Sequence, residues 1–265
     1  MDKLTVLYIG DIFGKAGKTA VQQMIPYLRE QYKPHIVIAN AENIAGGFGI
    51  TQNLAQKVFR YGVDVITLGN HTWNKRDELF DILDSHEHIV RPINYPPGNQ
   101  GHGYTVFTTE FGTKVAVMNL MGRVYMPTID CPFRVGKDFA ERLRMETPII
   151  IVDFHAEATS EKVAMGYHLD GFVSAVIGTH THILTADEKI LPGGTAYITD
   201  CGMTGPHDSV IGVKKELALE HFLKAVQVRF EPANEGIRLQ GVAFDIDVHT
   251  GKALSIQRVD IPLEN

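Results

Sequence analysis

The chain is short of cysteine. Its 265 residues include two, Cys131 and Cys201, far apart and in no Cys-x-x-Cys pair. That spacing argues against a Cys-x-x-Cys metal or redox motif and points to free thiols in a reducing compartment. Basic clusters are missing too. Lys and Arg number 25 against 31 Asp and Glu, for a net charge of −6, which argues against tight binding to duplex nucleic acid. No apolar stretch approaches the roughly 20 residues that span a bilayer. Met1-Asp2-Lys3 leads straight into a strand pattern with no signal-peptide signature, so a cytoplasmic location and no membrane partner are expected. A phosphate-binding loop is lacking as well. Gly17-Lys18-Thr19 has the tail of one, but the first glycine of GxxxxGK[ST] falls at Ile12, and Gly10 and Gly14 miss the spacing. No repeat, low-complexity tract or linker is visible, so residues 1–265 are expected to form a single domain. A chain of this length buries about three quarters of its unfolded surface and needs no disulfide or structural metal for stability.

Histidine is plentiful, with twelve, and its placement is more telling than its number. Five apolar, largely β-branched runs end on polar, ligand-type residues. Leu4–Ile9 leads to Gly10-Asp11, and Ile36–Ala39 to Asn40-Ala41-Glu42-Asn43. Val63–Leu68 leads to Gly69-Asn70-His71, Ile149–Val152 to Asp153-Phe154-His155, and Val173–Ile177 to Gly178-Thr179-His180-Thr181-His182. Open α/β sheets bind ligands at the carboxyl ends of their strands, so these endings describe a site.

The runs alternate with helical patterns over the first 90 residues. Gly17–Gln31 carries Val21, Met24, Ile25 and Leu28 at helical spacing. Thr51–Tyr61 can be capped by Thr51 and stops at Gly62. Lys75–Ser85 reads as a third helix. A βαβαβ series predicts a parallel sheet with right-handed crossovers. Further on, Tyr104–Thr109 and Thr113–Leu120 flank Glu110-Phe111-Gly112 as a hairpin. Cys131–Arg144, with Pro132 suited to a first turn, Ser160–His168 and Lys214–Lys224 read as helices, and Thr195–Thr199 as a strand. Val226–Glu231, Ile237–Val248 and Ala253–Ile261 alternate and read as an antiparallel tail. An α/β fold of two facing sheets with outer helices fits this order.

A pair of metal ions needs a bridging carboxylate, further carboxylate or amide oxygens, and neutral imidazoles. Asp11, Glu42, Asn43, Asn70, His155, His180 and His182 supply that set. Hard oxygens and borderline nitrogens without thiolate suit iron, manganese, zinc or magnesium rather than copper(I) or an iron–sulfur cluster. Taken singly, Asp11 and Asn70 also read as helix caps, Asn43 as a turn former before Gly46-Gly47, and the histidines as ordinary strand-end imidazoles.

Together these strings resemble the calcineurin-like metallophosphoesterases, whose pattern is Asp-x-His, Gly-Asp, Gly-Asn-His, a lone His and Gly-His-x-His. Within that superfamily the chain is most similar to the bacterial YmdB-like subgroup of cyclic-nucleotide phosphodiesterases, along essentially its whole length. Two departures from the wider pattern stand out. Phe13 replaces the first histidine, and Glu42 replaces the usual bridging Asp, with Asn43 following it. The resemblance implies an αββα sandwich of two mixed sheets. It implies one metal held by Asp11, Glu42, Asn43 and His182, and another by Glu42, Asn70, His155 and His180, with Glu42 bridging and Asn43 standing in for the ligand that Phe13 cannot provide. Iron or manganese is the leading identity, with zinc and magnesium open.

The function so implied is hydrolysis of a cyclic nucleotide, 2′,3′-cAMP or 3′,5′-cAMP, by metal-activated water, with His71 as the general acid. A dinuclear set does not itself choose between diesters and monoesters, so a nucleotide phosphomonoesterase is the near alternative. A metal-binding regulatory protein without turnover is the alternative from another class. The expected partner is a small phosphate ester, and homo-oligomerisation is open. Trp73 reads as a residue packed under the site or as a base-stacking group. Segments 94–103 and 122–134 are candidates for the pocket walls.

Overall fold

The computed structural model describes residues 2–75 and 82–263. β1 (Lys3–Ile9) and the two-residue β2 (Asp11–Ile12) precede α1 (Gly14–Tyr32), and β3 (Ile36–Asn40), α2 (Gln52–Arg60), β4 (Val65–Thr67) and β5 (Ile89–Val90) follow. β1, β3, β4 and β5 are successive parallel neighbours, as the βαβαβ order predicts. Thr51 caps α2 by accepting a hydrogen bond from the Leu54 amide, which satisfies one of the donors a helix start leaves free. α1 begins three residues earlier than its apolar spacing suggests. The expected helix over Lys75–Ser85 falls largely on residues 76–81, outside the described residues, and 82–85 are helical.

β6 (Tyr104–Thr108) and β7 (Lys114–Met121) form the predicted hairpin. α3 (Pro132–Leu143), β8 (Ile150–His155), α4 (Thr159–Leu169), β9 (Ala175–Thr179), β10 (Lys189–Ile190) and β11 (Ala196–Ile198) come next. They build a second sheet in the order β10-β11-β9-β8-β7-β6, parallel in its middle and antiparallel at both edges.

β12 (Met203–Pro206), α5 (Lys215–Lys224), β13 (Ile237–Asp247) and β14 (Ala253–Pro262) complete the chain. The antiparallel tail is a structural member of the first sheet, because β13 lies against β1 and β12 on one edge and β14 on the other. Val226–Glu231 is not a strand. Both edges of β13 are already paired, and this mostly exposed segment makes its backbone link at Lys214 N–H to the Glu231 carbonyl.

Three apolar layers hold the sandwich together. Val21, Met24, Ile25 and Leu28 of α1 pack on Leu7, Ile9 and Val37 of the first sheet. Leu4, Val6, Ile36 and Ile38 meet Val115, Val117, Ile149 and Ile151 between the sheets. Met118, Ile150 and Val152 face Ala140, Leu143 and Met165 of the outer helices. Full burial of such aliphatic side chains stabilises by about 1.5–3 kcal/mol each. Because β1, β3, β8 and β9 are fixed this way, the residues at their carboxyl ends converge where the two sheets meet.

Candidate metal centre

Glu42 lies just beyond β3 and is fully buried. Its Oε2 accepts the His71 amide at 2.8 Å. Its Oε1 stands 2.9 Å from His155 Nε2 yet has no hydrogen-bond partner among the described residues. Glu42, His155 and His180 bring one ligand atom each to within 4.8 Å of one another. Asn70 Oδ1 lies 2.9 Å from the same His155 nitrogen. On the other side of Glu42, Asp11, Asn43 and His182 form a second group. Asn43 Nδ2 is 3.4 Å from Asp11 Oδ1 and 3.3 Å from His182 Nε2, and His182 Nε2 is 3.8 Å from Asp11 Oδ1. The His180 amide donates to Asp11 Oδ2 at 3.1 Å and ties the two groups together.

All seven sequence-predicted ligand residues are therefore gathered in one place. A buried carboxylate oxygen without a donor is costly, and here it faces imidazoles and amides, the surroundings a cation takes. The donor set fits hard or borderline metal ions and holds no sulfur.

Electrostatics follow from burial. Burial lifts the Asp11 carboxyl to about 6 although His182 and His155 oppose it. Burial would also drag His155 down, but the nearby Glu42 charge outweighs it and raises the imidazole to about 9. Glu42 is held down at about 2 by His155 in spite of its own burial. Burial, and then the positive charge of His155, depress His180 to about 2, so it stays neutral, the form that ligates metal.

The local backbone is shaped for this convergence. His180 and His182 both have positive φ, 99° and 65°, conformations that cost side-chain-bearing residues energy and cluster at functional sites. Gly69 is needed between Leu68 and Asn70, since a Cβ there would fall onto the His155 ring and the Glu42 carboxylate. Phe13, in the position of the missing histidine, packs edge-on against the His182 ring at 5.7 Å.

Two buried supports were not singled out by the sequence reading. Asp153 accepts from Thr179 Oγ1 at 2.6 Å, Tyr8 Oη at 2.6 Å and Asn40 Nδ2 at 3.2 Å. With its proton given to Asp153, the Thr179 oxygen is left to accept from His155 Nδ1, 2.9 Å away. That hydrogen bond makes Nδ1 the donor and points Nε2 toward Glu42 and Asn70. The second support is Lys162, 1% exposed, which donates to Asp200 Oδ2 at 2.6 Å and to the Thr179 carbonyl at 2.7 Å. Asp200 in turn accepts from the Thr181 amide and hydroxyl. This ion pair clamps the loop that carries His180 and His182. Asp153 and Thr179 lie inside the quoted motif strings, a signal that was available in sequence; Lys162 sits in an unremarkable helix.

His71 lies outside the ligand group. Its ring nitrogen Nδ1 is 3.4 Å from Asn74 Oδ1, and its ring meets that of Phe48 edge-on at 5.0 Å. A cavity of about 320 Å³ opens here, lined by His71, His180, His182, Phe48, Ile211 and Phe222 among others. Segments 94–103 and 122–134 do not line it. Trp73 instead packs on Tyr95 with ring centroids 5.4 Å apart.

Residues 7–259 match the family model described as YmdB-like protein. A Bacillus subtilis protein described as a 2′,3′-cyclic-nucleotide 2′-phosphodiesterase is 46% identical, over 97% of this chain and 96% of that one. A crystal structure described as a novel phosphatase from Mycoplasma pneumoniae superposes with a TM-score of 0.93 at 37% identity, covering 99% of this chain and 94% of that one. A Thermus thermophilus crystal structure gives 0.90 at 38% identity, covering 98% and 100%. The chain belongs to the YmdB-like family, and its two mixed sheets with flanking helices are the metallophosphoesterase fold.

Proposed function

We propose that this member of the YmdB-like family is a metal-dependent phosphoric diester hydrolase that opens 2′,3′-cyclic nucleotides, with 3′,5′-cyclic nucleotides as a second substrate class. The observation that carries the reading is the gathering of six further ligand-type residues with buried Glu42, whose Oε1 is unpartnered. The name of the Bacillus subtilis relative supports the choice of substrate. Asp11, Glu42, Asn43 and His182 would hold one ion, and Glu42, Asn70, His155 and His180 the other, as iron or manganese. When bound, such a pair activates water and neutralises charge on the phosphate oxygens.

The remaining work falls to the side chains. Asn74 Oδ1 engages His71 Nδ1 at 3.4 Å, and His71 lines the cavity, so we assign the proton transfer to its free nitrogen, Nε2. Opening a 2′,3′-cyclic phosphate forms a bond from the water oxygen to phosphorus and breaks P–O2′. His71 delivers its proton to the departing O2′, and the proton shed by the water restores His71. The product is the 3′-phosphomonoester. We place this activity in the cytoplasm, in a single catalytic domain.

The test is turnover of 2′,3′-cAMP, 3′,5′-cAMP and an aryl phosphodiester by Mn²⁺- or Fe²⁺-loaded protein. Hydrolysis of the cyclic nucleotides supports the reading. Turnover of none of the three, or a preference for nucleotide monophosphates, overturns it.

A further inference from the structure

We infer that the apolar side of the cavity beside His71 is a nucleobase subsite, with Phe48 as its stacking wall and as the residue that selects which ester bond opens. The inference rests on the diesterase reading above and goes on from it to name how the substrate is held.

The first observation is the presentation of Phe48. It sits in Ala45-Gly46-Gly47-Phe48-Gly49, where Gly46, Gly47 and Gly49 have φ of 69°, 96° and 79°. Glycine adopts these left-handed angles without the penalty a Cβ brings. The loop closes through the Ala45 amide on the Gly49 carbonyl and the Gly47 amide on the Asn43 carbonyl, so it is anchored at a proposed metal ligand. Its one large side chain is 42% exposed and lines the cavity.

The second observation is continuity. One cavity reaches from His71, His180 and His182 to Phe48, Ile211 and Phe222. Its volume of about 320 Å³ is at the lower end of small-ligand sites. A phosphate at the histidine end therefore places whatever it carries among the apolar side chains. That wall offers flat faces and few hydrogen-bonding groups, so it recognises the π-face that every base has rather than the edge that distinguishes one from another.

The third is covalent geometry. In a 2′,3′-cyclic nucleotide the base is attached to C1′, the neighbour of C2′, whereas O3′ is one carbon further away. If His71 protonates O2′, the base emerges on the His71 side, where Phe48 stands 5.0 Å from the His71 ring. A substrate reversed to present O3′ would carry its base away from Phe48. Stacking on Phe48 thus favours breakage of P–O2′ and release of the 3′-phosphate.

The test uses Mn²⁺-loaded full-length protein and three probes: 2′,3′-cAMP, 2′,3′-cUMP and the base-free methyl riboside 2′,3′-cyclic phosphate. In Phe48→Ala the ratio of kcat/KM for 2′,3′-cAMP to that for the base-free ester should fall by about tenfold or more, mainly through KM. The share of 2′-AMP among the products should rise, and Phe48→Trp should restore both. The wild type should prefer 2′,3′-cAMP to 2′,3′-cUMP, the larger base stacking better. An unchanged ratio and product split in both Phe48→Ala and Phe222→Ala overturns the subsite. Binding of 3′-AMP, measured by calorimetry, separates the two readings. If the wild type hydrolyses none of the probes, the diesterase reading falls. Weaker 3′-AMP binding in Phe48→Ala then still supports the subsite, and equal binding sinks it.

Discussion

His155 Nε2 and Glu42 Oε1 stand 2.9 Å apart, both fully buried, and make no hydrogen bond. The pair attracts through charge while its lone pairs and proton are poorly aligned, an arrangement suited to an ion seated between them. In the metal-free protein His155 is raised to about 9 by Glu42, so at neutral pH it holds a proton that a metal must displace.

The pH dependence follows from that displacement. Mn²⁺ affinity should rise by up to about tenfold per pH unit as pH climbs toward 9, because the ligating imidazole must be neutral. Below about 6 the slope should steepen, since the buried Asp11 carboxyl also holds a proton there. The contribution of His155 to stability of the metal-free protein should run the other way between pH 6.5 and about 9. A histidine raised from 6.5 to about 9 stabilises fully below 6.5, and that contribution is lost as pH rises through 9. Glu42, lowered from 4.5 to about 2, contributes above 4.5 and loses its contribution as pH falls through 2. Calorimetric titration in buffers of different ionisation enthalpy should report close to one proton released per pair of metal ions at pH 7.5. Proton-free binding at that pH would contradict the His155 assignment.

Thr179 connects Asp153 to the far nitrogen of His155. Thr179→Val keeps the shape and removes the acceptor for His155 Nδ1–H. Mutation of such outer partners typically costs about 10–100-fold in metal affinity, and that range is expected here, with thermal unfolding of the metal-free protein changing little by comparison. Asp153→Asn should act in the same direction. Metal dissociation constants equal to wild type in both variants would remove this chain of hydrogen bonds from the site.

Much of this site is legible in the sequence because most of the proposed ligands follow closely on an apolar run. Burial of a strand dictates its composition, and the polar residue that ends it is conspicuous by contrast. Asp11, Glu42, Asn70, His155 and His180 all announce themselves so. The supports were harder to read. Lys162 sits inside a helix, and only the fold brings it to Asp200, 38 residues away. Phe48, Ile211 and Phe222 look like core residues by composition, and their exposure on one cavity is a product of topology. The three glycines around Phe48 were the local sign that a single aromatic was being held out. Val226–Glu231 shows the opposite error. Its alternation suits a strand, but pairing needs a free edge, and β13 has none to offer.

Lys162 tests the clamp on the His180–His182 loop. Lys162→Met leaves Asp200 buried without its cation, a change that costs about 3–5 kcal/mol in comparable settings. Removing both charges in Lys162→Met/Asp200→Leu should recover part of that stability, because no lone ion remains. Metal affinity should not recover with it, since the Thr179 carbonyl and the Thr181 amide and hydroxyl have then lost their partners. Chemical denaturation and Mn²⁺ titration of both variants measure the two effects separately. Recovery of affinity together with stability would reduce the pair to a packing element.

His71 is not a member of the Glu42–His155–His180 cluster, and it lines the adjoining cavity. Its removal should therefore spare metal binding and slow the departure of a poor leaving group. For His71→Ala, turnover of 2′,3′-cAMP, which expels an alkoxide, should fall by roughly 10²–10⁴-fold, the usual contribution of a positioned general acid. Turnover of a p-nitrophenyl ester, whose phenolate leaves without needing a proton, should fall much less. Metal content measured on the same samples separates loss of the acid from loss of the site. Equal losses on both substrates with full metal occupancy would assign His71 to substrate binding, and wild-type rates on both would take it out of the reaction.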